Sequence, residues 1–273
     1  MLLRKSLSFV LLAALLVSSF VSAPPGAAAA AVELTVAVKA SFDKTSAAAD
    51  AKTAAALNAL YNDLSSLLKE DKELEAKIKA QRYRNEETLI ALRKQIREID
   101  APKLARLAQQ TQQAKARYQP LFDAYSALNK QITLAKGVKN KTLNALLRTQ
   151  ADAMKLSVQF AREEIKEKEA AHKAARTAAS NKIKAARDSL ASIEKLKVQI
   201  KAQRSAASLP RSSRSPVWAN FKYAIKRNDA RGSQDSLSTL VMLSRQIVEQ
   251  QKKIQSLELR IADSLSGTKA QFL

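Results

Sequence analysis

Apolar residues recur at steps of three and four over most of the chain, the spacing of a narrow coiled-coil seam rather than a broad globular face. The longest run is Lys141 to Ala206, which contains neither Gly nor Pro. Its apolar positions are Leu143, Leu147, Met154, Val158, Ala161 and Ile165, then an Ala-rich middle, then Ile183, Ala186, Leu190, Ile193, Leu196 and Ile200. The pattern predicts one uninterrupted helix on the order of 100 Å long, too long for a compact domain, so it must lie against something equally long.

Upstream, Leu57, Leu60, Leu64, Leu67, Leu74 and Ile78 predict a first long helix from about Ser46 to Ile99, with Asp71 interrupting its seam. The seam resumes at Leu89, Leu92, Ile96 and Ile99. The bridge between the two runs falls on Gln81 and Asn85, an added step at which the pairing is expected to loosen. At Asp100-Ala101-Pro102 the reading is a kink, with Asp100 capping a new helix and Pro102 in its first turn. Leu104, Leu107, Thr111, Ala114, Tyr118, Leu121, Tyr125, Leu128, Ile132 and Ala135 form the most regular heptad, and Pro120 within it predicts a bend. Lys136 to Asn140 supplies a reversal, with Gly137 suited to a left-handed cap and Asn140 to capping the next helix.

These elements predict an all-α fold: an elongated antiparallel coiled-coil hairpin with a three-helix base. Residues 46–206 form the hairpin with its tip at 136–140, the arm from about Leu68 to Ala135 pairing with Lys141 to Ala206. Ala170 to Ala179 places small side chains on the seam, burying little apolar area, and is expected to be the weakest segment. Residues 32–45, including the alternating run Val32 to Lys39, are expected to be a flexible or loosely docked leader. Residues 207–234 read as a basic linker, from Ser208 to Pro216, carrying a short aromatic helix, with a second turn at Arg231-Gly232-Ser233. The C-terminal helix, 235–265, is expected to pack on the base over the part of Ser46 to Leu68 that the returning helix does not reach. Whether the pairing is within one chain or between two stays open.

Composition agrees with long helices: 4 Gly, 6 Pro and 5% aromatic residues in 273. Residues 1–31 carry the parts of a secretory signal peptide, with Arg4 and Lys5 before an apolar run from Leu7 to Val21 and then small residues. That run is shorter than the ~20 residues that span a bilayer as a helix. The expectation is a secreted or cell-envelope-associated protein, soluble or held by non-covalent contacts. The pattern resembles the coiled-coil portions of exported envelope proteins, a resemblance that implies shape rather than function.

Charge changes the picture more. The formal net charge is +22. From Ala101 to Arg231 there are 28 Lys and Arg against 9 Asp and Glu, whereas Lys44 to Asp100 has 11 against 10 and Gly232 onward 5 against 4. A basic middle attracts anionic polymers without sequence specificity, whether nucleic acid, wall polyphosphate or an acidic lipid surface. Candidate contacts are Arg211, Arg214, Lys182, Lys184 and Arg187.

Candidate chemistry is sparse. With no cysteine and the single His172, the composition argues against zinc sites and nucleophilic triads, and its carboxylate pairs have basic neighbours on the same helix. No catalytic residue, cofactor, metal or small-molecule substrate is expected. The one local constellation is Trp218, Phe221 and Ile225 on a shared helix face with Lys222, Lys226 and Arg227, a candidate for a partner groove or an anionic membrane surface. An alternative role for its apolar residues is to plug the end of the bundle. Two functions follow: an exported non-enzymatic structural or interaction protein that engages a protein partner or itself through the coiled coil, or a binder of anionic polymers.

Overall fold

A computed structural model describes residues 32–273, so the expected signal peptide lies outside the described residues. The described chain is all-α, with no strand among the described residues. Its helices are α1 (Val36–Ala47), α2 (Ala51–Arg97), α3 (Ala101–Gly137), α4 (Lys141–Ser189), α5 (Ala191–Lys226) and α6 (Ala230–Phe272). They contribute to two compact units, one from the described part of Met1–Leu60 with Ser212–Leu240, the other from Tyr61–Arg211 with Val241–Leu273.

In the larger unit, α3 and α4 form the predicted antiparallel hairpin. Lys115 pairs with Glu169 at 2.5 Å, Tyr118 donates to Glu164, and Asn144 Nδ2 donates to the Ile132 carbonyl at 3.1 Å. The heptad positions Thr111, Ala114, Leu128 and Ala135 are buried against α4, as its spacing requires. The same antiparallel order continues beyond Asp100, with Arg93 facing Glu194 at 3.9 Å and Asp71 facing Arg211 at 3.5 Å. The break at Asp100 is therefore a kink in one arm. It differs in detail from expectation: Asp100 adopts a left-handed conformation (φ 58°) and makes no side-chain cap, so the break is a backbone device. α3 continues through Pro120.

The tip falls where Gly137 and Asn140 placed it, but the left-handed residue is Lys139 (φ 54°), not Gly137. The Asn140 N–H reaches the Ala135 carbonyl at 3.1 Å and the Lys139 N–H that of Lys136 at 3.2 Å, the paired bonds of a Schellman motif. The Asn140 side chain caps α4 by accepting from the Leu143 N–H at 3.0 Å.

The expected uninterrupted helix is broken once, at Leu190. Ser189 Oγ donates to the Ala186 carbonyl at 2.9 Å and Ser192 Oγ to that of Ser189 at 3.2 Å, and such local bonds compete with the helical ladder. Ser189 Oγ also meets Thr268 Oγ1 on α6 at 2.8 Å.

The C-terminal helix packs more extensively than expected. Its Val248, Ile254, Leu257, Ile261 and Leu265 share one core with Leu74 to Ile96 of α2, with Ile99 just beyond it, and with Ala186 to Ile200. Contacts from Asp63 to Arg245 (2.9 Å), Glu70 to Lys252 (2.7 Å) and Asn85 to Glu258 (2.9 Å) advance in the same direction along both helices, so α6 runs parallel to α2. Three helices thus cover nearly all of α2 in this unit, not only the stretch before Leu68.

In the smaller unit, the expected flexible leader is α1. Thr35 Oγ1 caps it by accepting from the Val38 N–H, and Phe42 is fully buried 6.4 Å from the Phe221 ring. Burial of one aromatic side chain outweighs the strand-like alternation that precedes it. Thr45 Oγ1 donates to the Ile225 carbonyl at 3.0 Å, and Asn58 Nδ2 to Ser46 Oγ at 3.0 Å. α2 begins only at Ala51, after Asp50, whose Oδ1 accepts from the N–H groups of Lys52 and Thr53.

The expected basic linker is also helical. α5 runs through Pro210 and Pro216, each of which removes a backbone hydrogen bond and crowds the carbonyl four residues before it, with Ala207 buried in the larger unit and Trp218 in the smaller. The next turn comes earlier than Arg231-Gly232-Ser233. Asn228 is left-handed (φ 55°), and Asp229 caps α6 by accepting from the Gly232 N–H at 2.9 Å. Gly232 lies inside the first turn, where a Cβ would stand 2.4 Å from Asp229 Oδ2.

Candidate functional site

The aromatic constellation is core. Trp218, Phe221 and Ile225 are 3%, 0% and 3% exposed, and the Trp218 and Phe221 rings stack 5.3 Å apart. Their spacing placed them on one face correctly; that face turns inward, onto Phe42. This removes all three from the candidate surface. Lys222 lies over the Trp218 ring at 6.0 Å, and Lys226 and Arg227 are exposed, with Arg227 donating to the Tyr223 hydroxyl.

The basic candidates do not converge. Arg211 reaches the largely buried Asp71, whereas Arg187 borders a shallow cleft with Arg93 and Arg97. Along α2 those two places are separated by about 33 Å at 1.5 Å per residue. Arg214, half-buried, belongs to the smaller unit, and Lys182 and Lys184 are exposed on α4. They form part of a spread charge rather than a site.

The structure instead assembles a cleft of about 350 Å³ in the larger unit, where α2, α5 and α6 meet. Its floor is Leu89, Ile193, Ile200 and Ile261, and its rim carries Arg82, Lys197, Lys201 and Arg204. Arg82 is engaged by Glu86 at 2.8 Å, and that hydrogen bond raises the guanidinium above its ordinary value. Lys197 lies 3.4 Å from Glu194, while Lys201 and Arg204 have no acidic partner among the described residues. At the cleft's inner end Glu258 is 3% exposed, and Asn85 Nδ2 donates both to its Oε2 at 2.9 Å and to its backbone carbonyl at 2.8 Å. Gln81 Nε2 supports Asn85 Oδ1 at 3.0 Å. The place expected to loosen is thus pinned by a buried polar node. The cleft was missed because α2 supplies one rim and α5 the other. The available signal was Lys197, Lys201 and Arg204, which share a helix face at steps of four and three.

His172 is half-buried in the Ala-rich part of α4. Among the described residues there is no group of three or more His, Cys, Asp or Glu able to hold a metal ion, and no helix long and apolar enough to cross a membrane. No protein-family model, curated protein or solved structure matches the chain.

Proposed function

We propose that the chain is an exported, non-enzymatic coiled-coil scaffold or spacer of the cell envelope, working through protein contacts or self-association. The observation that carries this reading is the antiparallel pairing of α2–α3 with α4–α5 in the larger unit, tied across by Asp71 with Arg211 and by Tyr118 with Glu164, while Gln251 and Glu258 of α6 fix that helix on α2 through Asp71 and Asn85. Buried polar pairs of this kind specify register at some expense in stability, which suits an element whose length is its purpose. Export rests on the N-terminal signal pattern.

Fractionating producing cells and washing the envelope with increasing salt tests the reading. Retention at moderate salt together with a protein partner, identified by cross-linking, is the expected result. Recovery in the cytosol would overturn it. A second reading, binding of an anionic polymer, is favoured by Lys201 and Arg204 beside an apolar floor. It predicts release at moderate salt with the polymer, because phosphate contacts weaken steeply with ionic strength.

A further inference from the structure

The turn between α3 and α4 turns apolar side chains outward. Leu134, Val138, Leu143 and Leu146 are 70%, 75%, 42% and 57% exposed, while Leu128, Ala135, Leu147 and Ala151 close the seam beside them. The spacing places Leu143 in that seam, but in the first turn of α4 it stands exposed. The same segment has one sign of charge. From Ala124 to Ala151 there is no Asp or Glu, and Lys130, Lys136, Lys139, Lys141 and Arg148 are all exposed.

We propose that this tip docks on an anionic lipid surface, its lysines at the headgroup phosphates and its four aliphatic side chains in the interfacial layer. The inference does not rest on the scaffold reading. Charge complementarity names the partner's sign, and the apolar residues name its class: aliphatic side chains gain by leaving water for an acyl boundary, whereas single-stranded nucleic acid is gripped by aromatic stacking, and the one aromatic residue of the segment, Tyr125, packs in the seam. Lysine suits the position, since its aliphatic stem can lie along the apolar surface while the ammonium reaches the headgroups. Within the turn the N–H groups of Val138, Lys139, Asn140 and Leu143 are bonded, which leaves those of Lys141 and Thr142, at the first turn of α4, for headgroup oxygens or water. Four side chains are too few for irreversible anchoring, so binding is reversible and requires both charge and burial.

Flotation of the full chain with vesicles of phosphatidylcholine, and of equal parts phosphatidylcholine and phosphatidylglycerol, tests the proposal. Binding should be at least about tenfold tighter to the anionic vesicles. Replacing Leu134, Val138 and Leu146 together by Gln, or Lys136→Gln with Lys139→Asn and Lys141→Gln, should each weaken that binding by about tenfold. The substituted side chains are exposed, and an unchanged melting curve verifies folding. In a separate Val138→Trp chain, anionic vesicles should shift the added emission to the blue and shield it from an aqueous quencher, over the constant background of buried Trp218. Equal binding to neutral vesicles, undiminished binding by the folded Gln variant, or an unmoved Val138→Trp emission while duplex DNA strips the protein from vesicles would overturn the proposal, the last leaving charge alone.

Discussion

Asn85 occupies a seam position on α2 at which an apolar residue would continue the helical pattern, and its amide Nδ2 donates twice to Glu258, once to the side chain and once to the backbone carbonyl. A carboxylate 3% exposed depends on such a donor. Asn85→Leu should therefore lower stability by about 2–3 kcal/mol in urea denaturation, more than the added apolar contact returns. The double variant Asn85→Leu with Glu258→Leu should come back to within about 1 kcal/mol of the parent, because both partners then leave together. An additive pair of losses would show that the two side chains are not coupled. Asp50 illustrates a surface case. Its hydrogen bonds with Thr53, side chain first and backbone second, hold its carboxyl below the usual carboxylate range. Since the folded value is lowered, the stabilisation is fully present above the unfolded carboxylate value and is lost as pH falls through the folded one. Asp50→Ala should melt earlier than the parent at neutral pH, with the gap closing under acid conditions; a gap independent of pH would mean that charge has no part in the cap.

Among elements, those whose apolar residues repeat cleanly were legible: every heptad position from Leu104 to Ala135 is buried or half-buried. The tip was legible too, because Asn140 is a strong cap and little else stands between two seams. What escaped was decided by partners distant in sequence. Phe42 makes α1 a docked helix only because Phe221 awaits it, and Arg211, in the Pro-flanked stretch, meets a partner, Asp71, 140 residues away in sequence. The left-handed residues escaped for another reason: Asp100, Lys139 and Asn228 take conformations that glycine would take more easily, while Gly137 and Gly232 do not use that freedom. Asp100→Gly should accordingly stabilise the kink by up to about 1 kcal/mol, read as a raised melting temperature. Local stability should follow side-chain size along the returning arm. Hydrogen exchange should be faster across Ala170 to Ala179, where Ala179 is the only fully buried side chain, than across Ala186 to Ile200, which belongs to the large apolar core. Uniform protection across both segments would contradict that ranking.

For the molecule as a whole, the sign of its salt response follows from its charge. Most of the described ion pairs join exposed side chains, each worth a few tenths of a kcal/mol, and salt weakens them. Against them stands a net charge of +22, concentrated between Ala101 and Arg231, where 28 cations face 9 anions and most have no opposite charge to answer. Repulsion among like charges opposes the folded state and is screened by the same salt, over a length of ~10 Å at 0.1 M. The two effects have opposite signs, and the threefold excess of cations makes repulsion the larger. The melting temperature should therefore rise as sodium chloride is raised from low to physiological ionic strength. Inorganic polyphosphate at low ionic strength should raise it further, since an anion that binds the crowded folded charge more tightly than the extended chain stabilises by mass action. Added sodium chloride should then erase the polyphosphate increment while keeping its own. If the melting temperature instead falls steadily with salt, the surface pairs dominate, and the basic middle of the chain is held together by its few acids rather than strained by its own charge.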